Sequence, residues 1–170
     1  MSSLRDWSGH YLMKLLVPGE IAARIRTELR RARRVEVGGL LMGEHVCQDA
    51  FRVVDITAQR HGGSHTGFMR DPEAHAAELA AFFERTKGDY ARFNYLGEWH
   101  SHPNVPATPS ASDVAEMVRL VGDPKVGVTF AVLLIVRFTL FRRLVGSATV
   151  FAPSRNPTCA KLVWEQKGGR

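Results

Sequence analysis

Cysteine is scarce in this chain. Cys47 and Cys159 are the only two, and no CxxC pair occurs. They read as reduced, structural cysteines of a cytoplasmic protein rather than as a disulfide framework. Long apolar runs are missing as well. None reaches the roughly 18 residues of a membrane span, and the longest, residues 126–136, reads as a buried strand. The opening MSSLRDWSGH lacks the apolar stretch and small-residue cleavage site of a secretory signal. A cytoplasmic location with no membrane partner is therefore expected. There are no internal repeats, and no linker is long enough to separate domains. Acidic residues are outnumbered, 17 against 23 basic ones, for a net charge of +6. Much of the excess sits in Arg24, Arg26, Arg30, Arg31, Arg33 and Arg34, on a predicted helix and its exit. No aromatic stacking stretch or nucleic-acid motif accompanies them. A solvated face or a dock for an acidic protein is thus favoured over nucleic-acid binding.

What is present fits one domain spanning 1–170. With 45% hydrophobic and 24% charged residues, the chain has the composition of an ordinary globular protein able to build a sizeable core. Residues 10–17 read as a first strand, ended by Pro18-Gly19. Residues 20–31 read as a helix, because Ile21, Ile25 and Leu29 recur on one face. The apolar run 35–42 carries Gly38-Gly39, a sign of a buried strand that another backbone approaches closely. Residues 51–57 form a strand, and 60–67, with His61 and His65, a glycine-rich loop. Asp71 as cap and Pro72 in the first turn open a helix to residue 86, with Ala76, Leu79, Ala80 and Phe83 inward. A strand follows over 93–102, with Trp99 facing the core. After a proline-rich loop comes a helix over 110–121, with Val114, Met117, Val118 and Val121 inward. Strands are expected at 126–136, 138–144 and 147–151, and a short helix or strand from 160. Strands and helices mix without βα regularity, which indicates an α+β fold: a mixed β-sheet flanked by helices.

The chemistry concentrates in GEWHSHPNVPATPSASDVAEM. His100 and His102 lie at alternate strand positions and share a face, while Ser101 points away. Asp113 falls in the first turn of the next helix, near enough to return its carboxylate. Two imidazoles and a carboxylate make a three-ligand set, which leaves the open position that a catalytic zinc requires. Hydrolysis needs in addition a general base and a donor for the developing oxyanion.

His100-x-His102-Pro103, six residues, then Ser110-x-x-Asp113 resembles the motif of the JAMM metalloproteases (also JAB, MPN+ or Mov34), without gap or substitution. The upstream Glu36-Val37-Gly38-Gly39-Leu40-Leu41-Met42-Gly43 is similar to that family's glutamate strand and the glycine-rich apolar run after it. The resemblance covers about residues 10–152. It implies a JAB/MPN, cytidine-deaminase-like fold and one zinc ion per chain. His100, His102 and Asp113 would then be the metal ligands. Glu36 would be the base that carries a proton from the attacking water to the leaving amine. Ser110 would be the hydroxyl that holds the water and the oxyanion. Glu98 has the same strand parity as the histidines and is either a supporting carboxylate or a competing base; the supporting role is preferred.

The resemblance also bears on the substrate. In the family's isopeptidases the tail of a ubiquitin-like protein adds as a strand to an insertion ahead of the His-x-His strand. Here that insertion is around 58–70, which makes Gly67, Phe68 and Met69 candidate groove-lining residues. Eukaryotic members selective for lysine-63 chains carry a second insertion after the aspartate, and this chain has no counterpart. It is more similar to compact bacterial members encoded with activating- and conjugating-enzyme homologues in antiphage operons. The expected partners are a ubiquitin-like protein or its conjugates and those operon enzymes. The alternatives are a JAMM peptidase acting on a sulfur-carrier protein or small peptide, and a non-catalytic MPN scaffold.

Overall fold

The structure, a computed structural model, describes residues 13–59 and 72–166. Its elements run β1 (Lys14–Val17), α1 (Gly19–Ala32), β2 (Gly38–Cys47), β3 (Ala50–Ile56), α2 (Pro72–Arg85), β4 (Phe93–Ser101), α3 (Ala111–Gly122), β5 (Ala131–Phe138), β6 (Leu144–Phe151) and β7 (Thr158–Trp164). The strands form one mixed sheet in the order β1-β3-β2-β4-β5-β6-β7, closed on itself because β1 also pairs with β7. β1 pairs in parallel with both β3 and β7, and β4 with β5, while the other neighbours around the ring are antiparallel. This is the expected α+β arrangement of a mixed sheet with helices against it. The segment from residue 160 belongs to a strand, and the sheet extends past residue 152.

β5 shows why its sequence reads as an unbroken apolar run. Val132, Leu134 and Val136 join a core shared with Leu15, Ile21, Ile25, Leu41 and Trp99. The alternate residues Ala131, Leu133 and Ile135 pack under α3 against Met117, Val121 and Phe151. A strand buried on both faces has no polar side to alternate with. Trp99 is fully buried and donates its indole N–H to Thr57 O at 2.9 Å.

Several local expectations shift. β2 starts at Gly38, so Glu36 and Val37 precede the strand instead of lying within it. Residues 126–130 form a turn and loop, with Gly127 at φ +64°, and the strand begins only at Ala131. The predicted strand 138–144 is a hairpin tip. Phe138 pairs with Leu144, and the residues between them turn the chain. On α2 the inward residues are His75 and Phe82, flanked by half-buried Leu79 and Phe83, whereas Ala76 and Ala80 are exposed. A histidine can occupy that face because its Nδ1 meets the Thr57 hydroxyl at 2.6 Å. On α3, Leu120 turns partly inward and Val118 is exposed. Cys47 and Cys159 are free thiols, as expected, and both are exposed. Within the arginine-rich helix, Arg24 ties α1 to β3 through Asp55 Oδ1 at 2.6 Å and Ile56 O at 2.7 Å.

Gly97 has φ +144° and lies against the Val132 backbone across the β4–β5 pair, where any Cβ would overlap Val132 O. Alanine there combines a conformation L-residues avoid with a clash against backbone that cannot rotate away. We expect Gly97→Ala to destabilise the fold by at least about 3 kcal/mol, read as a lowered urea midpoint.

Candidate metal centre

The site forms where β2 and β4 run antiparallel, with Gly38 opposite His100. A Cβ on Gly38 would strike Trp99 O and lie 2.6 Å from the His100 Cβ. The glycine is therefore what lets the two backbones close up beside the imidazole, as the Gly-Gly pair suggested. Ser101, facing away from the histidines, accepts the Val37 N–H on Oγ at 3.1 Å, and its own N–H donates to Val37 O at 2.8 Å. This two-bond clamp holds the residue after Glu36 and so brings Glu36 to the histidines from outside the strand.

His100, His102 and Glu36 are all buried, with relative exposures of 7%, 4% and 8%. Their ring nitrogens and carboxylate oxygen lie within 4.8 Å of one another, a group that could hold a metal ion. Asp113 reaches the same point from the first turn of α3. His100 Nε2 and His102 Nε2 are 3.1 Å apart, Asp113 Oδ1 is 3.3 Å from the first, and Asp113 Oδ2 is 3.5 Å from the second. Bonds of about 2.0–2.2 Å at tetrahedral angles separate neighbouring ligand atoms by roughly 3.3–3.6 Å. Asp113 thus presents one oxygen to each imidazole at close to the distance that separates neighbouring ligands of a zinc ion.

The surroundings prepare these groups. His102 Nδ1 lies 2.9 Å from Pro106 O. A carbonyl only accepts, so Nδ1 carries a proton, and whenever the ring is neutral its lone pair is on the inward-facing Nε2, the usual way a metal-binding histidine is oriented. The Pro106 loop is braced in turn by Ser147 Oγ donating to Ala107 O at 2.6 Å and by Arg137 donating to Val105 O at 3.1 Å. Ser110 caps α3 reciprocally with Asp113: its Oγ accepts the Asp113 N–H at 3.1 Å, and Asp113 Oδ2 accepts the Ser110 N–H at 2.7 Å. Because Oγ acts there as acceptor, the Ser110 hydroxyl hydrogen stays available to donate elsewhere.

Either carboxylate can complete a set with the imidazoles, and their electrostatics differ. Burial would raise the Asp113 pKa, but hydrogen bonds from both histidines and from Ser110 hold it far below the usual carboxylate range. Glu36 is pushed up, first by burial and further by the Asp113 charge, against the pull of the two histidines. Asp113 is suited to be a fixed anionic ligand, and Glu36 to take and give a proton. Glu98 is half-buried on β4 and registers beside Leu40 and Leu133. Gly67, Phe68, Met69, His61 and His65 lie outside the described residues. Sequence reasoning missed the Pro106 carbonyl, since a backbone acceptor has no residue-type signature. The serine of the Ser101 clamp was visible but was given no role.

The His102 pKa is raised mainly by its contact with Asp113. In the metal-free protein this contact adds stability below the unfolded histidine pKa, and the gain is lost as pH rises through the higher folded value. A metal must displace that same proton. Metal affinity is therefore expected to keep rising as pH passes 6.5, the ordinary histidine value, and chelator competition from about pH 5.5 to 8.5 measures it.

No curated protein matches the chain. In fold it is similar to the solution structure of a protein from Desulfitobacterium hafniense, at 20% sequence identity and a TM-score of 0.68, over 90% of this chain and 94% of that one. The family described as prokaryotic homologs of the JAB domain matches residues 18–145, a span that contains Glu36, His100, His102, Ser110 and Asp113. The chain belongs to the prokaryotic JAB-domain family.

Proposed function

We propose that the chain is a zinc-dependent isopeptidase or peptidase that cleaves after the C-terminal glycine of a ubiquitin-like protein, freeing it from conjugates or from a precursor. The observation that carries the hydrolytic reading is the pair of buried Nε2 atoms 3.1 Å apart with one carboxylate bridging them and a second, protonatable one alongside. His100, His102 and Asp113 would hold the zinc. When bound, zinc supplies Lewis-acid polarisation of a carbonyl and brings the pKa of water to about 7.

The rest is the work of the chain's own groups. The Glu36 carboxylate accepts the proton of the attacking water and delivers it to the leaving nitrogen. Its raised pKa favours one group both taking and returning a proton. The Ser110 hydroxyl donates to the oxygen on which negative charge develops. Pro106 O keeps the His102 ring in one tautomer throughout.

The substrate class rests on the family resemblance and on the short stretch after Asp113, where the remainder of α3 and one turn lead directly to β5. That leaves no second insertion to grip a leaving ubiquitin, so selectivity for one chain linkage is not expected. Gly67, Phe68 and Met69 would line the groove for the tail. Activating- and conjugating-enzyme homologues in a bacterial antiphage operon would be the partners.

The test is a substrate panel for the zinc-loaded protein: a ubiquitin-like protein fused through Gly-Gly to a reporter, a sulfur-carrier protein with an added C-terminal residue, and short peptides. Cleavage of the fusion after its last glycine is the expected result. Release of an amino acid from the carrier, with the fusion left intact, would overturn the substrate assignment.

A further inference from the structure

We propose that the β5–β6 hairpin tip is a second contact point for the protein substrate, outside the metal site, which engages an apolar patch with acidic neighbours on the folded body of the protein whose tail is cleaved. The inference rests on the isopeptidase reading above.

Leu140 and Phe141 are 98% and 88% exposed, at the centre of the turn. Turns usually place polar residues there. Arg142 and Arg143 follow, also exposed, and no carboxylate among the described residues forms an ion pair with either. The tip is fixed. Arg142 N–H donates to Thr139 O and Thr139 N–H to Arg143 O, both at 2.9 Å, and Arg143 N–H reaches Thr139 Oγ1 at 3.2 Å. Arg142 takes φ +57°, the left-handed position that closes a three-residue hairpin loop. A preformed loop that presents two bare apolar side chains loses little freedom on binding.

Its position supplies the occupant. β4 and β5 are parallel, so both point their C-terminal ends the same way, and His102 N–H donates to Val136 O at 2.9 Å. The strand continues past that level to Phe138 before turning. At about 3.3 Å per residue the tip stands on the order of 10 Å beyond the His102 backbone. A folded protein whose extended tail ends at the metal site has its body a few residues away, at that distance. The Arg137–Val105 and Ser147–Ala107 hydrogen bonds join the hairpin to the His102 loop, so the tip and the site keep a fixed spacing. The arginines favour an acidic surround, and Leu140 and Phe141 an apolar centre.

The experiment compares the Gly-Gly fusion with a peptide reporter that carries only the last two or so residues of the same tail, an extended length of roughly 7 Å that falls short of the tip. The variants are L140S/F141S and R142E/R143E. Each is expected to raise KM for the fusion by about 10-fold, the effect of losing one good contact, with kcat and all peptide kinetics unchanged. Equal kinetics of variants and wild type on the fusion would overturn the contact while leaving the isopeptidase reading intact. A wild type that cleaves neither substrate overturns both. Apolar-basic tips also suit anionic membranes. Vesicles of phosphatidylserine and phosphatidylcholine that bind the wild type but not L140S/F141S, with fusion cleavage unaffected, would assign the tip to lipid instead.

Discussion

Glu36→Gln is expected to lower kcat/KM by about 10³-fold, within the range of a lost general base, while the protein still binds one zinc ion. The amide is close to the carboxylate in shape, so the Val37–Ser101 clamp and the buried position of residue 36 should survive. What the amide cannot do is accept and return a proton. The sign of the pH response follows from the environment. Burial raises the Glu36 pKa above 4.5, and a base works only when ionised. The wild-type kcat/KM should therefore fall as pH drops through that raised value, and the glutamine variant should lose this limb. Steady-state rates together with metal content by mass spectrometry measure both halves. Loss of zinc from Glu36→Gln would make Glu36 a ligand and would exchange its role with that of Asp113.

Asp113→Ala is expected to behave in the opposite way, losing zinc first and activity as a consequence. Removing a supporting group near a metal typically weakens binding by 10–100-fold, and removal of a direct ligand should exceed about 100-fold. The same carboxylate receives the Ser110 N–H at the start of α3, so the alanine variant should also lose about 1 kcal/mol of helix capping. Asp113→Asn separates the two effects, since its amide oxygen can still accept that N–H but carries no charge. Competition with a zinc indicator gives the affinity, and thermal unfolding of the metal-free protein gives the cap. Asp113→Ala that keeps its zinc would refute the ligand assignment.

The contrast between these two carboxylates shows what the sequence could and could not reveal. His100, His102 and Asp113 lie within fourteen consecutive residues, and local rules translate their spacing into proximity: alternation along a strand and the first turn of a helix. Glu36 lies far upstream, and only the resemblance of its surroundings pointed to it. The two hydrogen bonds that bring it in involve the Val37 backbone, whose partner no residue type announces. The Pro106 carbonyl was invisible for the same reason. The 138–144 strand failed through turn chemistry. Arg142 occupies a left-handed position usually given to glycine or asparagine, so the punctuation that marks a hairpin was missing. The inward face of α2 slipped by one position because His75 is polar, and its buried Thr57 partner comes from another part of the chain.

Ring closure sets the order in which the protein can be made. Lys14 pairs with Lys161 and Val17 with Trp164, so the first strand meets one of its two neighbours only after residue 164 has left the ribosome. Until then β1 and β6 each present an unsatisfied edge, the kind of surface that pairs with other nascent chains. The family match ends at residue 145, yet the strand that closes those edges comes after it. A chain stopped at the end of the matched segment would keep every residue of the metal centre and still be the more prone to aggregate.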